Sequence, residues 1–159
     1  VPWERIQVVI HPQSIIHSMV EFVDGSVKAQ LSPPDMRLPI QCALLYPRRS
    51  WNASLPRFNP LETGALTFEP LAPKRYPCFP MALEAARAGG TYPAALNGAD
   101  EAAVQLFLDG RIGFLDIHRL VQATLDAHQT ISTPSLEELL EADAWARQEV
   151  QRQATRVKA

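Results

Sequence analysis

The sequence predicts an α+β fold in which strands and a β-hairpin come first and a small bundle of α-helices comes after. Three observations carry that expectation. Of fourteen prolines in 159 residues, twelve lie at or before Pro80, and proline blocks helix interiors while pre-setting turns. Alanine, the best helix former, runs the other way, with five residues up to position 80 and sixteen after it. Asp24-Gly25 stands between two strand-like runs, a strong short-range hairpin signal. Residues 1–48 are expected to hold strands, hairpin and a short helix, 49–76 a linker, and 77–159 the helical bundle.

In the first part, Ile6-Gln7-Val8-Val9-Ile10 is β-branched and reads as a strand closed by His11-Pro12. Ser14 to Val23 and Ser26 to Leu31 then form the hairpin. A two-residue type I′ turn at Asp24-Gly25 puts Phe22 opposite Val27, Val20 opposite Ala29 and Glu21 opposite Lys28. In that register Val20, Phe22, Val27, Ala29 and Leu31 share a face to be buried, while His17, Met19, Glu21, Lys28 and Gln30 share the presented face. Pro39 suits the first position of a short helix through Leu45, ended by Tyr46-Pro47. Residues 48–76 hold a single strand candidate, Ala65-Leu66-Thr67-Phe68.

The second part holds four helical segments. Pro80 opens one that Gly89-Gly90 stops. A second runs from about Pro93 or Ala99 to Leu108, with Val104, Phe107 and Leu108 on one stripe. Asp116 is the expected N-cap of a third, with Ile117, Leu120, Val121 and Leu125 inward. Pro134 and Ser135 open the last, with Leu136, Leu139, Leu140, Trp145 and Val150 toward a core and Asp143 as a re-capping point. Short connections make these an antiparallel bundle.

Composition narrows the function. With 47% hydrophobic residues the chain can form one ordinary domain or two small ones. It holds no apolar run of membrane-spanning length, and its first residues lack the charged-then-apolar layout of a secretory signal. Two cysteines, Cys42 and Cys78, are too few for a disulfide scaffold and fit a reducing compartment. Net charge divides as +2 over residues 1–80 and −4 over 81–159, which gives nucleic acid no footprint. Neither a glycine-rich dinucleotide fingerprint nor a Walker loop is present. His11 and His17 stand roughly 20 Å apart if the strand is continuous, too far to share a metal unless Pro12 breaks the line. Asp24 at the hairpin turn is equally remote from His17, so a Ser14, His17, Asp24 triad has no geometry.

One cluster departs from ordinary strand composition. His11-Pro12-Gln13-Ser14, His17 and Ser18 place hydrogen-bonding groups among Ile, Val and Phe, and Pro33-Pro34-Asp35-Met36-Arg37 brings a thioether and a cation to the far end of the hairpin. Such groups serve either a structural role or the lining of a ligand pocket.

At these residues a resemblance emerges. Ile10-His11-Pro12-Gln13-Ser14-Ile15-Ile16-His17-Ser18-Met19-Val20-Glu21, Asp24-Gly25-Ser26-Val27 with Ala29-Gln30-Leu31, and Pro34-Asp35-Met36-Arg37 with Pro39-Ile40 resemble the 1-deoxy-D-xylulose 5-phosphate reductoisomerase family. Leu66-Thr67-Phe68-Glu69, Arg75-Tyr76-Pro77-Cys78, Ala95-Leu96-Asn97 and Asp143-Ala144 with Ala146-Arg147 extend the likeness over essentially the whole chain. Asn97-Gly98-Ala99-Asp100-Glu101 departs from the family's usual Asn-Ala-Ala-Asn-Glu, and residues 49–57 diverge locally. Gly98 lowers helix propensity by about 1 kcal/mol relative to alanine.

The resemblance implies the end of an α/β catalytic domain, then a linker and a C-terminal helical bundle. It implies part of a homodimeric, cytosolic or plastid enzyme that converts 1-deoxy-D-xylulose 5-phosphate to 2-C-methyl-D-erythritol 4-phosphate with NADPH and Mg²⁺ or Mn²⁺. The family's nucleotide loop, acidic metal ligands, most of its substrate-binding residues and its mobile flap correspond to positions before Val1. No metal ligand and no certain catalytic residue is therefore expected in this chain, which is expected to be inactive alone, with the rest of the enzyme as its partner. Ser14 and His17 match active-site wall positions, and Met36 matches a methionine on the nicotinamide side. The alternative is a stand-alone, non-catalytic module that dimerises through the hairpin edge.

Overall fold

The computed structural model describes residues 2–157 and divides between Leu71 and Ala72 into two compact units. The first opens with a 3₁₀ turn at Trp3–Arg5 and contains β1 (Val9–Ile10), β2 (Ile16–Glu21), β3 (Val27–Leu31), α1 (Arg37–Leu45), α2 (Pro60–Thr63) and β4 (Glu69–Pro70). The second is helical throughout: α3 (Cys78–Ala88), α4 (Tyr92–Leu108), α5 (Phe114–Ala127) and α6 (Leu136–Val157). The mixed fold with a helical C-terminal part is as the proline and alanine distribution predicts. Part of the stretch expected as linker is built into the first unit, because β4 pairs antiparallel with β1 through Val9↔Pro70 and Ile10↔Glu69. The strand expected at Ala65–Phe68 lies just before that range, and the one expected over Ile6–Ile10 is confined to its last two residues.

The hairpin differs from expectation by one residue of register. Its loop has three residues, Val23-Asp24-Gly25: Gly25 N–H donates to the Phe22 carbonyl at 3.0 Å and Phe22 N–H to the Ser26 carbonyl at 2.9 Å. Only Gly25 takes positive φ, at 82°, which is the geometry of a type I turn with a left-handed residue after it. Asp24 instead accepts the Ser26 N–H at 2.9 Å and its hydroxyl at 2.6 Å, bonds that hold its carboxyl below the ordinary aspartate range. The register becomes Met19↔Ala29, Val20↔Lys28 and Glu21↔Val27, so Glu21 no longer faces Lys28. A further shift between Ile16 and Ser18 leaves His17 as the extra residue of a bulge. The shift also breaks up the expected apolar face, since Val20 now stands opposite Lys28 and Val27 opposite Glu21. Its members are not buried within the unit: Val20 is 58% and Phe22 49% exposed. Ser32 is the one buried position among the first unit's described residues.

Helix ends are set by local hydrogen bonding. The α1 helix starts two residues before Pro39 because the Asp35 carboxylate accepts the Arg37 N–H at 3.0 Å. The α3 helix starts at Cys78 rather than Pro80, whose missing N–H falls among first-turn groups that have no helical partner in any case. Gly90, at φ 57°, cannot be replaced cheaply, since a Cβ there would sit 2.2 Å from the Ile131 carbonyl oxygen. Asp116 is not the N-cap of α5. Gly113 is, and Asp116 reaches back from the third position to accept its N–H at 2.9 Å. Ser135 and Glu138 form a reciprocal capping box on α6, with Glu138 N–H donating to Ser135 Oγ at 3.2 Å and Ser135 N–H to Glu138 Oε2 at 2.7 Å. Asp143 does not re-cap that helix, which runs through unbroken; its carboxylate accepts instead from Arg147 Nε at 2.7 Å.

The core of the second unit joins α4 to α5 and α6. Along α5 the inward residues are the expected Ile117, Leu120, Val121 and Leu125, together with Thr124. On α4 and α6 the expected stripes hold in part: Val150 is buried and Val104 and Trp145 pack against the core, but most of the buried positions are smaller residues. Ala95, Ala99, Ala102, Ala103 and Leu106 are buried from α4, and Ala142, Ala146, Val150 and Ala154 from α6. Leu136 and Leu140 are 67% and 62% exposed, and Leu108 also faces outward. Alanines let the two backbones approach, so the contact seam runs along small side chains and leaves the leucines beside it. Gly98 marks the tightest point, where a Cβ would lie 2.6 Å from the Asp143 carbonyl oxygen. Its propensity cost is the counterpart of that approach.

Candidate functional site

Ser14, His17 and Met36, singled out from the sequence, line one cavity of about 930 Å³ in the first unit. Ser14 reaches it from a turn closed by its own N–H donating to the His11 carbonyl at 3.0 Å. Its φ of 50° is the one positive value among described non-glycine residues. A left-handed serine costs on the order of 1 kcal/mol and persists where surroundings over-determine it, commonly at ligand sites. Further along, the bulge of β2 redirects His17 toward the same cavity. Met36 stands at the head of α1, 72% exposed, with Pro34 and Leu38 extending the apolar wall.

Polar groups are few and held in place. His17 Nε2 lies 3.1 Å from the Ser32 carbonyl oxygen. A carbonyl only accepts, so this contact assigns the proton to Nε2 and leaves Nδ1 as the ring's acceptor. Gln30 Nε2 donates to Ser32 Oγ at 3.2 Å. Asp35 and Arg37 form a fork, with Nη2 to Oδ2 at 2.6 Å and Nε to Oδ1 at 3.0 Å. That pairing holds the Asp35 carboxyl below, and the Arg37 guanidinium above, their ordinary values. An apolar-walled concavity with a few oriented polar groups suits a small organic ligand or cofactor ring.

Sequence reasoning missed Ser32, Tyr46 and Arg49 at this cavity. No local motif marks them; they arrive through the hairpin's return and the end of α1. Asp24 belongs to the hairpin tip with Ser26, away from any triad. The turn at Pro12 does break the line between His11 and His17, and both border a second concavity of about 470 Å³. Among the described residues no three His, Cys, Asp or Glu side chains converge as metal ligands, so the donor set here does not fit a divalent ion.

Fold and site together define a class: a mixed α+β chain with an apolar-walled cavity of ligand size in its first unit and a helical C-terminal part. A model of the DXP reductoisomerase C-terminal domain matches residues 31–149. The 1-deoxy-D-xylulose 5-phosphate reductoisomerase of Heliobacterium modesticaldum is 50% identical over 147 residues, 92% of this chain and 37% of that protein. The enzyme of the same name from Pelotomaculum thermopropionicum is 52% identical over 145 residues, 91% of this chain and 37% of that one. Among solved structures, the reductoisomerase of Zymomonas mobilis in complex with NADPH superposes with a TM-score of 0.87 at 41% identity, covering 97% of this chain and 40% of that one. A DOX-P reductoisomerase holding fosmidomycin and magnesium superposes with a TM-score of 0.85 at 36% identity, covering 98% and 40%. The chain belongs to the 1-deoxy-D-xylulose 5-phosphate reductoisomerase family, and it spans about two-fifths of the length of these relatives.

Proposed function

We propose that this chain is the C-terminal part of an NADPH-dependent reductoisomerase converting 1-deoxy-D-xylulose 5-phosphate to 2-C-methyl-D-erythritol 4-phosphate, to which it contributes one wall of the active site. The observation that carries this reading is the convergence of Ser14, His17 and Met36 on a single cavity. In the complete enzyme, Mg²⁺ or Mn²⁺ would be held by residues outside this chain. NADPH, when bound, supplies the hydride; the apolar wall at Pro34, Met36 and Leu38 fits one side of a nicotinamide ring. His17, anchored through Nε2–H, offers Nδ1 to a substrate hydroxyl, and Ser14 offers its own hydroxyl.

The chain's partners, on the same reading, are the upstream part of the enzyme and a second subunit. Its setting is cytosolic or plastid, in keeping with free Cys42 and Cys78. A stand-alone module gains no support from the first unit, whose apolar side chains need cover that the unit does not supply.

Two measurements test the proposal. With NADPH, Mn²⁺ and substrate, the isolated 159-residue chain should oxidise no NADPH, and measurable turnover would overturn it. In a complete reductoisomerase carrying these residues, His17→Ala should lower kcat by about tenfold or more, the scale of a lost acid-base or hydrogen-bonding group. The thermal midpoint should stay within a degree or two; matched losses of activity and stability would make His17 structural instead.

A further inference from the structure

The turn that carries Ser14 is gripped from a distance in sequence. His11 Nδ1–H donates to the Thr67 carbonyl at 2.8 Å. The Gln13 amide reads the same residue twice more: its Oε1 accepts the Thr67 N–H at 3.2 Å, and its Nε2 donates to Thr67 Oγ1 at 2.8 Å. Thr67 therefore has its backbone donor, its backbone acceptor and its hydroxyl all engaged by two side chains of one turn. Phe68 completes the grip, its ring stacked on His11 at 4.8 Å with 22° between planes. These contacts link residues 54 to 57 apart in sequence, and they lie directly beyond the short β1–β4 ladder, where Ile10 pairs with Glu69.

The gripped turn leads straight into the cavity wall. Ser14, at φ 50°, is the next residue after Gln13, and His17 stands on the bulge three further on. A serine in the left-handed region does not hold that conformation by its own preference. Something must hold the turn. The hydrogen bond from Ser14 N–H to the His11 carbonyl closes it locally, and the grip on Thr67 fixes it to the rest of the unit.

We propose that Thr67, held by Gln13 and His11, is a positioning residue for the active-site wall: it sets the turn that presents Ser14 and, through it, His17 to the cavity. The inference rests on the reading of that cavity as the reductoisomerase site. Thr67 acts through its neighbours and touches neither substrate nor cofactor. Its segment, a strand candidate within the stretch expected as linker, thereby acquires a part in the reaction.

The test uses a complete reductoisomerase carrying these residues. Thr67→Val deletes the hydroxyl while keeping the branched shape, Thr67→Ser keeps the hydroxyl, and Gln13→Leu removes both amide contacts. The expected result is a fall in kcat/KM of about tenfold for Thr67→Val and Gln13→Leu, the scale of a lost hydrogen bond that misplaces a reacting group. Thr67→Ser should stay within about twofold of the parent. Because the two residues act as one grip, combining Gln13→Leu with Thr67→Val should cost little more than the worse single change. Circular-dichroism melts of each protein fix an assay temperature at which it is folded. If Gln13→Leu does not fold, Thr67→Val against Thr67→Ser carries the same comparison.

An unchanged kcat/KM in Thr67→Val, or a fall matched by Thr67→Ser, overturns the proposal. Ser14→Ala and His17→Ala, assayed alongside, separate it from the reading beneath it. If those two variants retain full activity, the wall reading fails and the positioning role falls with it. If they lose activity while Thr67→Val does not, only the positioning role is wrong.

Discussion

Thr91 and His128 form a part-buried pair in which desolvation favours the neutral imidazole. Thr91 is fully buried before α4; its N–H donates to the Ile131 carbonyl at 3.0 Å and its Oγ1 accepts the Ile131 N–H at 3.0 Å. The same oxygen lies 2.8 Å from His128 Nε2. With Oγ1 accepting from Ile131, the hydroxyl proton is free to go to His128, which is satisfied best as a neutral ring. Burial pushes the His128 pKa below its ordinary value, between the rings of Tyr92 and Trp145 at 6.1 and 5.2 Å. A folded-state value below the unfolded one means that the neutral form is favoured by folding. The resulting stability is present above the unfolded value of about 6.5 and is lost as pH falls through that value toward the folded one. Urea midpoints measured from pH 7.5 down to pH 5 should therefore fall. His128→Gln should flatten that part of the profile, and an unchanged slope would remove His128 as its source. Asp24 and Asp35, held low by their hydrogen bonds, act only in the more acidic range. The pairing of Thr91 with His128 is not legible in the sequence, because 37 residues separate the partners and no motif joins them.

At the scale of elements, end signals are more legible than faces. Proline, glycine, Asp116 and Ser135 locate every helix start of the second unit to within a few residues, because capping and termination are settled by the few residues at each end. Register and burial are not so local. A two-residue or a three-residue loop can both be built on Asp-Gly, and the choice turns on Asp24 bonding forward to Ser26 rather than adopting positive φ. The helix faces depart from expectation where leucine outweighs alanine in the sequence pattern: the α4–α6 seam selects for backbone approach, as Gly98 against Asp143 shows. Substitutions in the core that α4 shares with its neighbours should respond to this close packing. Leu106→Ala empties a site that is 1% exposed and should cost about 2–5 kcal/mol. Ala103→Leu overfills a site that is 0% exposed and should cost about 1–3 kcal/mol or more. Urea unfolding of both variants measures this, and a neutral Ala103→Leu would mean that the core around α4 is looser than its burial states.

At the scale of the whole chain, the two units differ in self-sufficiency. The second has its own apolar core from Met81 to Ala154. The first, among its described residues, buries only Ser32 and exposes Val20, Phe22, Val27, Ile40, Leu44 and Trp51. A fragment of residues 72–159 should thus unfold cooperatively in urea with helical circular dichroism, whereas residues 1–71 should show no cooperative transition. A cooperative transition in the latter would show that the hairpin unit needs no cover. The order of architecture and the family follow from local signals, since proline, alanine and the His11–Met19 and Pro34–Ile40 strings act through backbone preference and chemical identity. That Ser14, His17 and Met36 share a cavity, that Thr67 is gripped by the turn before Ser14, and that alanine rather than leucine lines the helical seam emerges from the fold alone. Each of those depends on groups distant in the chain meeting at fixed separation, and such distances are set by packing rather than by sequence spacing.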